Sequence, residues 1–195
     1  MTLDDPAAEG LTGTTGDHLP TPAGARRWRD RARLDQDDER AAAQYEAASV
    51  RLAADGWRGY EISNWARPGH ESRHNLAYWS RLPYEAVGPG AHAFDGRRRR
   101  WNAARLDAYA SALAQDRLPP GGSEEIDVRT AEMEAVMLGL RTDAGVPEAA
   151  VEAPRFREPL AWALANGLAL RAADDRLRLT TRGRLLSNEI FARLV

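Results

Sequence analysis

The 195 residues carry 27 basic and 29 acidic side chains, a formal net charge of -2, and 43% of the residues are apolar. That length and composition suit one ample domain or two small ones with a real core, and the charge gives no electrostatic reason to expect a nucleic-acid partner. The chain has no cysteine, which excludes disulfides, thiol nucleophiles and ligation of an iron–sulfur cluster by its own thiolates.

No stretch approaches the roughly 20 apolar residues that cross a bilayer, and the N-terminus lacks the basic-then-apolar pattern of a signal peptide. We therefore expect a cytoplasmic chain that is not transmembrane.

The first part of the chain predicts a leader, a helix and a strand. Residues 1–34 are rich in Gly, Thr, Pro and Asp without an apolar period, so a disordered or poorly ordered leader is expected. A helix is predicted from Asp35, which can cap it, to a stop at Gly56. Residues 59–66 show the partial alternation of a short strand, which ends before Pro68. Helix followed by strand is typical of α/β architecture.

The middle of the chain is less regular. Residues 70–94 are rich in aromatic side chains and contain a tight backbone passage at Gly88-Pro89-Gly90. A short strand at 100–102 and a helix over 106–114 are predicted next. The run Pro119-Pro120-Gly121-Gly122 indicates a domain boundary, which separates residues 35–118 from residues 123–195.

The last part predicts a helix over 127–140, a turn at 145–147, a helix over 158–166 and strands 168–170 and 177–179 around a turn at Asp174-Asp175. Helix, helix, hairpin and helix is the order of a small winged-helix-like domain. The winged-helix order suggests DNA binding as a function. The last helix, however, is apolar where a recognition helix would be polar and basic. We expect these side chains to be buried and no nucleic acid to bind: Leu185, Leu186, Ile190, Phe191 and Leu194.

Four separated motifs follow one another in a fixed order. They are Glu61-Ile62-Ser63-Asn64, then His74-Asn75-Leu76-Ala77-Tyr78-Trp79, then Gly88-Pro89-Gly90-Ala91-His92, and then Arg100-Trp101-Asn102. In this order they resemble the oxygen-independent coproporphyrinogen III oxidase-like family of radical-SAM proteins, nearest to its heme-chaperone (HemW) branch. Several ordered motifs are a more specific match than one short pattern. The runs 137–141 and 179–183 look like that family's C-terminal domain.

The resemblance implies an α/β fold: the C-terminal fragment of a partial (β/α) barrel, followed by a small helical winged-helix-like α+β domain. Family members bind S-adenosylmethionine and a 4Fe-4S cluster, the cluster on a Cys-x-x-x-Cys-x-x-Cys loop. Oxidases of the family decarboxylate coproporphyrinogen III by radical chemistry, and the chaperones bind heme and deliver it. Because this chain has no cysteine, we do not expect it to catalyse the radical reaction alone.

By the same resemblance, the His-Asn-x-x-Tyr-Trp motif implies heme or porphyrin binding, with His74 as ligand of the heme iron. A neutral imidazole is a good axial ligand for heme iron, and neighbouring aromatic rings can stack on the macrocycle. Arg73 offers a planar donor for propionates. The predicted heme or porphyrin site comprises Arg73, His74, Asn75, Tyr78 and Trp79.

A second group of residues is predicted for the mouth of the barrel, where active sites of such folds gather. Each has an equally simple structural explanation, since polar residues close strand ends and glycines permit backbone corners. The run Arg97 to Arg100 could hold propionates, but such a run is more often a solvated loop. The predicted mouth residues are Glu61, Asn64, Gly88, Gly90, His92 and Asn102.

Two functions follow. The first is the C-terminal portion of a heme chaperone or oxidase-like protein, with heme or porphyrin as ligand. Its partners would be a separate N-terminal radical-SAM half, a heme-recipient protein or a second copy of the chain. The alternative is a structural or interaction remnant that has no activity without that half.

Overall fold

The computed structural model describes residues 38–195, so the predicted leader and the Asp35 cap lie outside the described residues. The chain divides after Ala48 into two units, of which the second, Ser49–Val195, is compact. Helix α1 (Asp38–Ala54) is followed by Gly56, whose φ of 81° lies in the left-handed region that favours glycine. The predicted helix end at Gly56 is confirmed, and Gly56 lies in the second unit.

The segment predicted as one strand over 59–66 is instead a small hairpin. Strand β1 (Arg58–Gly59) pairs antiparallel with β2 (Trp65–Ala66). The turn between them is built on the Glu61 carboxylate, whose Oε1 accepts hydrogen bonds from Ser63 N at 2.7 Å and from Asn64 Nδ2 at 2.6 Å. A side-chain oxygen of this kind accepts hydrogen bonds from backbone N–H groups that a continuous strand would use in its ladder. An alternating pattern of apolar residues does not reveal this competition.

The region predicted as irregular contains a helix, α2 (Arg73–Trp79). Ser72 caps it, because its Oγ accepts from Asn75 N at 3.3 Å. The helix ends at Ser80, and the next residue, Arg81, has a φ of 53°. With seven residues and none of them buried, α2 lacks the apolar period that would reveal it in the sequence.

A three-stranded antiparallel sheet follows, in the order β3-β4-β5. Its strands are β3 (His92–Phe94), β4 (Arg98–Asn102) and β5 (Gly121–Glu125), and helix α3 (Leu106–Leu113) connects β4 to β5. A Cβ at Gly121 would lie 1.7 Å from Trp101 O, so the glycine permits this close strand pairing. The predicted boundary at 119–122 therefore leads directly into a strand of this sheet, and the division into two domains stays a prediction.

The C-terminal part has the predicted order of helices around a hairpin. Helix α4 (Val128–Arg141) is capped by Asp127, whose Oδ1 accepts from Thr130 N at 2.7 Å. Strand β6 (Val146–Pro147), a 3-10 helix (Glu148–Val151) and helix α5 (Pro154–Ala165) follow. The chain ends with β7 (Ala169–Arg171), β8 (Arg176–Leu179), α6 (Thr181–Leu185) and α7 (Ser187–Leu194), and the sheet order is β6-β8-β7.

Three boundaries in this part differ from the sequence prediction. Helix α5 begins at Pro154 rather than at 158, because proline is pre-organised for the first helical position. The predicted turn at 145–147 contributes a strand, in which Val146 pairs with Leu177. The predicted last helix is interrupted at Leu186 and becomes α6 and α7.

The core of this part lies between α4, α5, α7 and the β6-β8-β7 sheet. Ile190 is fully buried, and Phe191 and Leu194 are 7% and 5% exposed. The prediction that the last helix faces the core is confirmed for these three side chains. Leu186 differs, since it lies between the two helices and is 38% exposed.

Candidate functional site

The predicted heme motif lies on α2 and reaches solvent. Arg73, His74 and Tyr78 are exposed, and Asn75 and Trp79 are half-buried. Residues three and four apart share a helix face, so His74 and Tyr78 lie together. Their ring centroids are 4.7 Å apart in an edge-to-face arrangement. The structure therefore places the five predicted residues on one short surface helix.

His74 stands at the outer end of a row of aromatic rings. Tyr78 contacts Tyr84 with ring centroids 4.6 Å apart, and Tyr84 in turn lies 6.2 Å from Phe94 of β3. Among residues 38–195, no hydrogen bond or ion pair engages the His74 imidazole. Its ring nitrogens are thus free to coordinate a metal presented from solvent, and the aromatic row supplies a flat apolar surface beside them.

The basic residues near the motif differ in how they are engaged. Arg98, Arg99 and Arg100 lie on β4 and pair with Glu125, Glu124 and Glu85 respectively. The hydrogen bond from Arg98 lowers the pKa of the Glu125 carboxyl. Arg73 forms no ion pair within the described residues. Arg73, on the motif helix itself, is therefore available for a carboxylate of a ligand, as is the exposed Arg97, for which no ion pair is found among residues 38–195.

A cavity of about 290 Å³ lies beneath the motif. It is lined by Tyr78, Trp79, Arg81, Tyr84, Phe94, Arg99, Glu134 and Leu138. Arg81 donates to Ala131 O at 3.2 Å and pairs with Glu134, which also accepts from Arg99 at 2.8 Å. These contacts connect the end of α2 to α4.

A second cavity, of about 570 Å³, lies on the other side of the same helix end. Trp79, Ser80 and Arg81 form one wall, and small side chains of α4 and of the turn before β6 form much of the remainder. Its volume is within the range of small-molecule sites in proteins. Trp79 and Arg81 thus border both cavities.

Glu61 is buried, with 1% of its surface exposed. Besides closing the β1–β2 turn, its Oε2 lies 3.7 Å from Arg141 Nη2, and its backbone bridges to Thr142. Asn64, which donates to Glu61, is half-buried. The assignment of Glu61 and Asn64 to a barrel mouth stays a prediction.

Three of the remaining predicted residues meet where the loop before β3 lies against the end of β4. Asn102 is buried and donates through Nδ2 to Gly88 O at 2.9 Å and to Ala86 O at 3.3 Å. Gly88 and Gly90 have φ values of 105° and 68°, where glycine is favoured. These contacts support the structural explanation for Asn102 and the two glycines. Their role at a barrel mouth stays a prediction.

His92 pairs with a different aromatic residue from those of the motif. It is exposed on β3, and its ring centroid lies 5.9 Å from that of Trp101 on β4. The structure thus separates the two histidines of the motifs into two environments. Only His74 belongs to the aromatic row of α2.

Three residues of this site were absent from the sequence prediction: Tyr84, Arg81 and Arg141. Tyr84 extends the aromatic row, and Arg141 lies 4.6 Å over the Trp79 ring. None of the three belongs to the His-Asn-x-x-Tyr-Trp pattern. Arg141 is separated from Trp79 by more than sixty residues, so only the folded chain shows the contact.

Among residues 38–195, no group of three or more His, Asp or Glu side chains is arranged so that it could hold a metal ion. Within the same residues, no helix is long and apolar enough to cross a membrane.

Comparison with known proteins agrees with this structure. Residues 129–186 match the HemN C-terminal domain family. The chain is 42% identical over 159 residues to the heme chaperone HemW of Mycobacterium tuberculosis, covering 82% of this chain and 40% of that protein. HemW of Bacillus subtilis is 34% identical over 159 residues, or 78% of this chain and 42% of that one. The chain thus spans about two-fifths of the length of these relatives.

A solved structure gives the fold. Coproporphyrinogen III oxidase (HemN) from Escherichia coli, a radical-SAM enzyme, superposes with a TM-score of 0.58 at 16% identity, over 76% of this chain and 39% of that chain. The predicted mixed α/β fold of a C-terminal fragment is confirmed. The chain is thus similar to the C-terminal part of longer proteins of the oxygen-independent coproporphyrinogen III oxidase-like family. Within that family, the relatives with the identities given above are heme chaperones of the HemW type.

Proposed function

We propose that this chain is the heme-binding C-terminal portion of a HemW-like protein, and that it binds heme or a related porphyrin on helix α2. The observation that supports this proposal most directly is the unengaged imidazole of His74 at the exposed end of an aromatic row. Proteins similar to this chain are named heme chaperones.

In this proposal, His74 ligates the heme iron through a ring nitrogen, because a neutral imidazole is a good axial ligand. Tyr78 and Tyr84 present apolar ring surface to the macrocycle. Arg73, exposed and without an ion pair in the described part of the chain, receives a propionate through a charge-assisted hydrogen bond.

The radical chemistry of the family would need groups from outside these 195 residues. The sequence contains no cysteine, and a 4Fe-4S cluster is held by thiolates. S-adenosylmethionine and the cluster would therefore enter with a radical-SAM half. The further partners that we propose are a heme-recipient protein and a second copy of the chain, and the proposed compartment is the cytoplasm.

The experiment is a titration of the purified chain with ferric heme and, separately, with ferrous heme, followed by absorbance in the Soret region. We expect a saturable spectral change that His74→Ala abolishes. His70→Ala is the matched control, because it removes an exposed imidazole that belongs to none of the predicted site residues. This variant should bind as the unaltered chain does.

If the folded chain produces no Soret change, or if His74→Ala binds normally, heme binding on α2 is wrong. Absence of any binding by the well-folded unaltered chain would favour the alternative, a remnant that needs a separate half.

A further inference from the structure

Three side chains from distant parts of the sequence meet behind the motif helix. Glu61 comes from the β1–β2 turn, Trp79 from the end of α2, and Arg141 from the last residue of α4. Arg141 Nη2 lies 3.7 Å from Glu61 Oε2, and the Arg141 guanidinium carbon lies 4.6 Å from the centroid of the Trp79 ring. Arg141 therefore connects a buried carboxylate to the indole of the heme motif.

The side chains of Glu61 and Arg141 are largely shielded from solvent, which strengthens the contacts between them and with Trp79. The side chain of Glu61 is 1% exposed and that of Arg141 is 27% exposed. Three buried polar atoms in this cluster have no hydrogen-bond partner in the described structure: Glu61 Oε2, Trp79 Nε1 and Arg141 Nε. Interactions of a cation with an indole face and with a nearby carboxylate gain strength where water is excluded.

The chemistry of the guanidinium suits this place. It is planar, always charged and weakly hydrated, so it can stack on an indole while it faces a carboxylate. Arg141 belongs to residues 129–186, the part that matches the HemN C-terminal domain family. Arg141 thus brings the part that matches this family into direct contact with Trp79 of the heme motif.

We propose that Arg141 is a positioning residue, which holds the Trp79 ring in the orientation that heme binding requires, with Glu61 fixing the guanidinium in turn. The proposal rests on the proposed heme site, because Trp79 is a member of that site. Arg141 itself would not touch heme. Its effect would be transmitted through the indole.

The chain offers a matched control in a second Arg–Trp stack. Arg193 lies 3.9 Å over the Trp162 ring, and it also pairs with Glu189. Trp162 lies on α5 and Arg193 lies on α7, and both are outside the heme motif. Loss of that stack tests whether removing any such contact weakens heme binding through general destabilisation.

The first measurement is the heme affinity of Arg141→Met, Arg141→Lys and Arg193→Met. A cation–π contact of this kind corresponds to about three- to thirtyfold in affinity, and we expect a loss in that range for Arg141→Met. Arg141→Lys should recover part of the loss, because lysine keeps the charge and lacks the planar stack. Arg193→Met should bind as the unaltered chain does.

The second measurement needs no heme. Acrylamide quenching of tryptophan fluorescence should increase in Arg141→Met, because the Trp79 ring loses its cover. The same substitution in a Trp79→Phe background should leave quenching unchanged, which assigns the effect to Trp79 among the six tryptophans. If Arg141→Met unfolds because Glu61 is left without its counter-charge, the double variant Glu61→Gln/Arg141→Met removes both charges and takes its place.

The outcomes are distinguishable. Normal heme affinity in a folded variant without Arg141 overturns the positioning role, as does quenching that is the same with and without Arg141. If the unaltered chain binds no heme but Arg141→Met still exposes Trp79, the proposed heme site is wrong while the hold of Arg141 on the Trp79 ring stands.

Discussion

Replacement of Glu61 by alanine should destabilise the second unit strongly. The Glu61 carboxylate accepts two short hydrogen bonds, from Ser63 N and Asn64 Nδ2, and lies 3.7 Å from Arg141. A hydrogen bond to a charged group contributes about 1.5–3 kcal/mol net, and loss of a buried counter-charge adds to this. Because Arg141 is partly exposed, we expect a total loss of about 3–5 kcal/mol in the free energy of unfolding.

Urea denaturation followed by far-UV circular dichroism measures this loss. Glu61→Gln is the matched control, since it keeps an acceptor oxygen for the turn and removes the charge. We expect it to lose about 1–3 kcal/mol, less than the alanine variant. A loss below about 1 kcal/mol for Glu61→Ala would refute the reasoning, because it would mean that the buried carboxylate does not hold the turn together.

The remaining predictions concern the C-terminal part. Ile190 is fully buried among the core side chains of α7, so Ile190→Ala should lower the free energy of unfolding by about 2–5 kcal/mol. Leu186→Ala, at a position 38% exposed, is its control and should change it by much less. Denaturation of the two variants side by side tests this, and equal losses would contradict the assigned core. Asp127 caps α4, and its hydrogen bond from Thr130 N lowers the pKa of its carboxyl below the ordinary 3.8. A carboxyl with a lowered pKa in the folded state stabilises the fold above its ordinary pKa, and this contribution is lost as the pH falls below 3.8. Asp127→Asn keeps a capping oxygen without titration, so melting temperatures measured from pH 5 to about pH 2 should decline less steeply for the variant. If the melting temperature declines equally steeply with falling pH in the variant and in the unaltered chain, Asp127 does not stabilise the fold through its charged cap.

The C-terminal part could be predicted closely from local sequence. Asp127 marks the start of α4, and Asp174-Asp175 marks the turn between β7 and β8, where Asp175 has a φ of 55°. Caps and turns act within a few residues, so the sequence contains their signals directly. The sequence did not predict helix α2, because this helix is short and exposed. Its cap, Ser72, lies in a region whose apolar residues show no regular spacing.

The site could be predicted only as far as its motif extends. The run from His74 to Trp79 identifies the helix face on which a porphyrin is proposed to lie. Tyr84, which extends the aromatic row, carries no pattern of its own. For Arg98 to Arg100, the charges in the sequence suggest carboxylate binding by a ligand, but in the folded chain each of these side chains pairs with a glutamate.

The sequence by itself determined the resemblance to the family, the order of elements around the C-terminal hairpin, and the absence of thiolates in these 195 residues. Residue identity and short spacing suffice for these features. The tertiary structure alone decided that Glu61 is buried, that its side chain makes a hairpin of a predicted strand, and that Arg141 joins it to Trp79. Such contacts depend on the folding of residues 61, 79 and 141 into one place, and no local propensity encodes a meeting across that distance in the chain.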